Sequence, residues 1–195
     1  MLENIKPINS VDLLCGRFKA ELAKNGSLVI GLDGLDGIGK TTLARELAQR
    51  LNAKLISLDQ YEEKGHRRYV ENLRCSDIIV DISSITVIEG VCLRAVEERC
   101  QIFIDLHIYV RRIDKYGIWD DEELCLSVAA PDVLKQRERD LQETVNRIIH
   151  DDDANLERGA ELGLLGELID YHHTYHPVER ADIVFDLVQS GSSTG

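Results

Sequence analysis

The sequence contains no apolar run near the ~18 residues that a membrane span needs, which excludes a spanning helix as its organising feature. It also lacks a basic, apolar leader followed by a small-residue cleavage site. Its first residues are Met1, Leu2, Glu3, Asn4, Ile5, Lys6 and Pro7, so a cytoplasmic location is expected. No Cys-x-x-Cys pair is present. The five cysteines (Cys15, Cys75, Cys92, Cys100 and Cys125) are odd in number and dispersed, which argues against a zinc site or a redox dithiol and for reduced, mostly buried thiols. Positive charge is scarce, with 23 Lys and Arg against 35 Asp and Glu and a net charge of −12. A surface of that sign repels a nucleic-acid backbone, whose binding depends on counterion release to Lys and Arg. No nucleic-acid or membrane partner is expected, although a local basic cleft for a small phosphate compound is compatible with an acidic body.

With 195 residues, 44% of them hydrophobic and 30% charged, the chain can bury a core without disulfides or a structural metal. One domain is expected over 1–189, with a candidate lid insertion around 120–153. The Ser- and Gly-rich tail 190–195 has the composition of a flexible end. No internal repeat is visible.

The segment 11–25 carries Leu14, Phe18 and Leu22 on one stripe and then meets Gly26, the pattern of an amphipathic helix stopped by a glycine cap. Residues 27–32 form a short apolar run bounded by glycines, as in a strand buried on both faces. From residue 39 to 51 the spacing turns helical, with Leu43, Leu47 and Leu51 on one side. Further apolar segments at 54–58, 85–88, 106–110 and 183–185 alternate with helical stretches at 91–99, 133–149 and 160–175. That alternation predicts a three-layer α/β fold, with a parallel sheet of about five strands and helices on both faces. The run 77–82 fits either a strand or the end of a helix.

Between the first strand and the second helix stand Gly34, Leu35, Asp36, Gly37, Ile38, Gly39, Lys40 and Thr41, matching G-x-x-x-x-G-K-[ST]. Small residues there let backbone N–H groups turn inward around phosphate oxygens, and the following helix adds its N-terminal partial charge. Lys40 would reach the terminal phosphates, the Thr41 hydroxyl would ligate Mg²⁺, and Thr42 could add a phosphate contact. The alternative, a merely tight glycine turn, does not explain the strand before it and the helix after it. A dinucleotide site is disfavoured because the spacing of Gly34, Gly37 and Gly39 is not G-x-G-x-x-G. The nucleotide expected is ATP, with Mg²⁺.

Two carboxylates follow at strand ends, Asp59 after the second strand and Glu89 at the end of the third. In an open parallel sheet that edge is where ligands bind. Taken alone, Asp59 could be a helix cap and Glu89 a solvated strand end. Residues 34–42, the Leu58-Asp59-Gln60-Tyr61 and Ile88-Glu89-Gly90 segments, and the late Tyr175-His176-Pro177 and Ala181-Asp182-Ile183-Val184 segments together resemble the uridine kinase-like branch of P-loop small-molecule kinases. That group includes nucleoside kinases and relatives of phosphoribulokinase and pantothenate kinase. The resemblance implies catalytic roles for Lys40 and for Asp59, the latter as base or positioning residue toward the acceptor hydroxyl. It implies that Glu89 holds Mg²⁺ through water.

Phosphoryl transfer also needs cations around the migrating group, commonly on a lid. Arg137, Arg139 and Arg147 are the candidates, although the arginine-rich lid pattern of such kinases is not found and an ordinary charged helix fits as well. Tyr61, His66, Arg67, Arg68 and Tyr69 lie between the two carboxylate motifs. Of these, Tyr61, Arg67 and Arg68 are candidate contacts for a small-molecule acceptor. The loop resembles that of thymidylate kinases too, but no Asp-Arg dipeptide occurs, which makes a nucleotide acceptor the less favoured. His172 and His176 are spaced for one metal ion on a helix, with packing the plainer role. Trp119 is expected as a core or hinge anchor. The function expected is transfer of the γ-phosphoryl of ATP to a hydroxyl of a small, nucleoside-like metabolite. The alternatives are a nucleotide-dependent switch acting through a protein partner, which lacks an Asn-Lys-x-Asp guanine motif here, and a kinase relative that binds nucleotide without activity. The sequence leaves the oligomeric state open.

Overall fold

A computed structural model describes residues 7–63, 68–126, 129–149 and 162–188, with side chains described only up to residue 144 in the third stretch. Five strands, β1 (Leu28–Asp33), β2 (Lys54–Ser57), β3 (Ile85–Glu89), β4 (Leu106–Ile113) and β5 (Ile183–Val188), form one parallel sheet in the order β2-β3-β1-β4-β5. β1 is central and nearly all buried, because parallel strands with helices on both faces have no solvent side. Strands β2 and β3 lie on one side of β1, and β4 and β5 on the other. The order therefore reverses at the carboxyl end of β1, the place where an open α/β sheet leaves a crevice.

Seven helices surround the sheet among the described residues: α1 (Val11–Asn25), α2 (Lys40–Leu51), α3 (Cys75–Asp81), α4 (Leu93–Cys100), α5 (Glu122–Cys125), α6 (Pro131–Ile149) and α7 (Gly163–Tyr175). α1 begins at Ser10, whose hydroxyl accepts from the Leu13 N–H. It ends at Gly26, in the left-handed region that a glycine adopts without a Cβ penalty. Leu14 and Phe18 on its inner stripe are fully buried. The run 77–82 resolves as helix α3. Its Ile78 packs inward while Ile79 and Val80 stay exposed, so the apolar run does not mark a strand.

The cysteines depart from the expectation of free thiols. Cys75 and Cys100 are joined, because the start of α3 lies against the end of α4 with Cα atoms 4.9 Å apart. A separation of 25 residues hides that meeting from the sequence. Cys15, Cys92 and Cys125 are free and buried, as expected. No helix among the described residues is long and apolar enough to cross a membrane.

Candidate active site

The phosphate loop starts where β1 ends and closes where α2 begins. Gly34 has φ +146°, and a Cβ there would lie 2.7 Å from the Val110 carbonyl oxygen, so only glycine fits between the loop and β4. Gly39, at φ +101°, caps α2 with no side chain in the way of an incoming anion. Leu35 and Ile38 are buried and anchor the loop, while Asp36, Gly37, Gly39, Thr41 and Thr42 face outward. The Lys40 ammonium donates to the Leu35 carbonyl at 2.5 Å and is held inside the loop. Burial pushes its pKa below the ordinary value, while Asp33, Glu89, Asp36 and Asp59 pull it back up.

Across the mouth of the loop, Glu89 at the end of β3 accepts from Thr41 Oγ1 at 3.2 Å and from Ser57 Oγ at 2.6 Å through one oxygen, Oε1. Two hydroxyls and a carboxylate thus converge beside the start of α2. Hard oxygen donors of this kind suit Mg²⁺, which takes one or two protein oxygens and fills the rest of its octahedron with water and phosphate. No group of three or more potential metal-ligating His, Cys, Asp or Glu side chains occurs among the described residues.

A cleft of about 720 Å³ joins this half to a second one. Its phosphate side is lined by Asp36, Gly37, Gly39, Lys40, Thr41 and Thr42, and its far side by Asp59, Glu62, Tyr69 and Asn72, with Glu167 at the edge. Asp59 sits on a single 3-10 turn (Leu58–Tyr61) that leaves β2, exposed to the cleft. The Tyr69 hydroxyl donates to its Oδ1 at 2.9 Å. Asn72, 5% exposed, lines the same wall, and its Oδ1 has no hydrogen-bond partner among the described residues. A buried carbonyl without a donor costs about 1–3 kcal/mol, so this wall is built with unused acceptor capacity.

The loop's root is held from below. Asp33, 4% exposed, accepts from the Gly34 N–H at 2.8 Å and from the Tyr171 hydroxyl on α7. Burial, reinforced by Asp33, keeps the Tyr171 hydroxyl protonated well above the ordinary phenol range. One residue further along α7, His172 Nδ1 lies 2.7 Å from the Leu168 carbonyl oxygen and must donate to it. Nε2 therefore accepts from the Tyr109 hydroxyl at 2.7 Å. Burial holds His172 below its usual value, in keeping with that neutral tautomer.

Sequence reasoning placed several residues elsewhere. Tyr61, a candidate acceptor contact, is turned from the cleft to donate to Asp81 at 2.5 Å, with the Arg74 guanidinium over its ring. Arg68 is exposed near Glu71 and borders a smaller cavity with Tyr171 and Tyr175. Arg67 lies outside the described residues, as do His66 and the tail 190–195. On α6, Arg137 pairs with Glu123 at 2.5 Å and Arg139 donates to Gln136; neither of them lines the cleft beside the loop, and the side chain of Arg147 is not described. His172 does not converge with His176 on a metal. It is 1% exposed within the Tyr109 network, while His176 is exposed and caps α7. Trp119 is a core residue, 8% exposed, edge-on to Tyr109 and under the Arg111 guanidinium. Sequence reasoning missed Asp33, Asn72, Glu167 and Tyr171. Asp33 alone carried a local signal, a carboxylate directly ahead of the first loop glycine.

No family model matches the chain. Over 65 residues, 27% of this chain, it is 42% identical to the pentafunctional AROM polypeptides 1 and 2 of Lodderomyces elongisporus. That stretch is 4% of each relative, so the chain spans only a small part of their length. Among solved structures it is similar to a protein described as a possible uridine kinase from Bacillus stearothermophilus, at a TM-score of 0.52 and 20% identity, covering 90% of this chain and 97% of that one. It also matches shikimate kinase from Bacteroides thetaiotaomicron over 82% of this chain and 86% of that one, at a TM-score of 0.39 and 20% identity. The Bacillus likeness shows the fold alone: the chain shares the α/β architecture of that protein, with its glycine-rich loop at the reversal point of a five-stranded parallel sheet.

Proposed function

We propose that the chain is an ATP-dependent kinase that moves the γ-phosphoryl group to a hydroxyl of a small metabolite, with nucleoside-like acceptors preferred. The observation that carries this reading is the two-sided cleft: a phosphate loop and the Thr41–Glu89 pair on one wall, and the Asp59 carboxylate on the other. A volume of about 720 Å³ is of the size that small-molecule sites occupy. A switch that only hydrolyses nucleotide needs no second wall with a carboxylate held by a tyrosine.

On this reading the loop N–H groups and Lys40 cradle the β- and γ-phosphates, and Thr41 and Glu89 hold Mg²⁺, Glu89 through water. Mg²⁺ supplies neutralisation of phosphate charge when bound. The acceptor hydroxyl oxygen attacks the γ-phosphorus, the new O–P bond forms as the bond to the bridging oxygen breaks, and the proton passes to Asp59. ADP carries away the released electron pair. Most of the rate enhancement is electrostatic, since the protein stabilises charge spread over the migrating group. We place the protein in the cytoplasm, where ATP is at hand. Disulfides there are rare and usually transient, so the Cys75–Cys100 pair is expected to open in that setting.

The test is ATP consumption with Mg²⁺ against nucleosides, sugars, vitamins and nucleoside monophosphates, with Lys40→Ala as control. Stimulation by one compound, lost in the control, supports the reading and names the acceptor. Acceptor-independent hydrolysis would favour a switch, and binding without turnover an inactive relative.

A further inference from the structure

Beyond the glycine-rich loop, α7 makes contacts to both sides of the cleft. The 3-10 turn Val70–Asn72 on the acceptor wall begins with no side chain of its own to cap it. The start of any helical turn leaves N–H groups without internal partners. Here both are taken by one distant carboxylate: Glu167 of α7 accepts from the Tyr69 N–H through Oε2 at 2.8 Å and from the Val70 N–H through Oε1 at 3.2 Å. Both oxygens are used, so the backbone of Tyr69 is held in two directions. The Tyr69 side chain is buried, and its hydroxyl makes the one hydrogen bond that Asp59 has among the described residues. Burial, and then Asp59 itself, keep that hydroxyl protonated far above the ordinary phenol range, so it acts as a donor at every working pH.

We propose that Glu167 is a positioning residue that acts through Tyr69 to hold the Asp59 carboxylate in register with the phosphate loop; this rests on the kinase reading above. Tyr69 occupies Oδ1 and leaves Oδ2 free to take the acceptor proton. The exposed Asp59, on a turn of four residues, has no other restraint of this kind among the described residues. Glu167 stands four residues before Tyr171, so the two lie on one face of α7. Tyr171 binds Asp33 at the root of the loop while Glu167 binds the acceptor wall. The distance between the donor and acceptor halves is thereby set by a single rigid helix. Misplacing reacting groups by about 1 Å costs on the order of 100-fold in rate.

The test is a double-mutant cycle on phosphoryl transfer with the acceptor found in the panel, using Glu167→Gln, Tyr69→Phe and the pair. The expectation is a fall in kcat of roughly 10-fold or more in each single variant, with KM for ATP within about two-fold of the parent. The double variant should fall no further than the worse single one, because one path carries both effects. Losses that multiply, or a Glu167→Gln variant with unchanged kcat and only lowered thermal stability, would overturn the proposal. Tyr69→Phe deletes one oxygen and keeps the question open to refutation even if Glu167→Gln fails to fold: unchanged kcat in it also overturns the proposal. Absence of transfer by the unsubstituted chain would overturn the kinase reading and this one together. Transfer by that chain with additive losses would overturn this one alone.

Discussion

Replacing Tyr171 by Phe removes one oxygen from beneath the phosphate loop, and the structure lets its cost be worked out. The hydroxyl donates to Asp33, a carboxylate with 4% exposure whose other described partner is the Gly34 N–H, and it accepts from the Arg94 N–H at 3.2 Å. A hydrogen bond to a charged group contributes about 1.5–3 kcal/mol, and the buried carboxylate left short of a donor cannot turn to water. The expected loss is therefore about 2 kcal/mol, which for a chain of this size lowers Tm by roughly 4–8 °C. The assay is urea unfolding of the nucleotide-free protein, repeated in an Asp33→Asn background. An amide is neutral and tolerates a missing donor more easily. The Tyr171→Phe cost should shrink there by about 1 kcal/mol, while the lost Arg94 contact is common to both backgrounds and cancels. A cost below about 0.5 kcal/mol, which is the ordinary scatter of surface substitutions, would refute the reasoning, and so would an equal cost in both backgrounds.

Glu89→Gln should leave metal-free ATP binding nearly unchanged and raise the Mg²⁺ concentration needed for half-maximal activity by about 10-fold or more, as loss of a metal-supporting carboxylate does; a magnesium titration decides. Asn72→Leu removes the unpaired carbonyl on a side chain of the same branching, and KM for the acceptor should rise several-fold with KM for ATP constant in steady-state kinetics. His172 is held below its ordinary 6.5 by burial, so the unfolded chain binds a proton that the folded chain does not as pH drops below that value. Stability should therefore be full above about pH 6.5 and fall below it, by at most about 1.4 kcal/mol per pH unit from this group. A His172→Gln variant should show a flatter acid limb in urea unfolding measured from pH 7.5 to 5.

The phosphate loop was legible from the sequence because its requirements are local: glycines at fixed offsets, a lysine and a threonine in adjacent positions, a strand before and a helix after. The strands and long helices were legible for the same reason, since a short continuous apolar run and a 3.6-residue period are both properties of neighbouring residues. Helix α1 runs over the residues its apolar stripe and glycine cap marked, from Val11 to Asn25, with the Ser10 cap at its start shown only by the structure. Asp59 and Glu89 could be named as strand-end carboxylates, but not what surrounds them. Glu89 meets Ser57 from a neighbouring strand 32 positions away, and Asp59 meets Tyr69 across a loop.

What the sequence by itself determined is the order of elements and the glycine-rich turn between β1 and α2, because short-range sterics and hydrogen bonding dictate both. Only the tertiary structure decided which residues form the second wall, that Tyr61 and Arg68 face away from it, and that Cys75 meets Cys100. It alone brought Glu167 to Tyr69 over 98 positions and Tyr171 to Asp33 over 138. Contacts at such separations leave no periodic trace along the chain. They follow from the crossing of helix and sheet, and that crossing is set by the packing of the whole core.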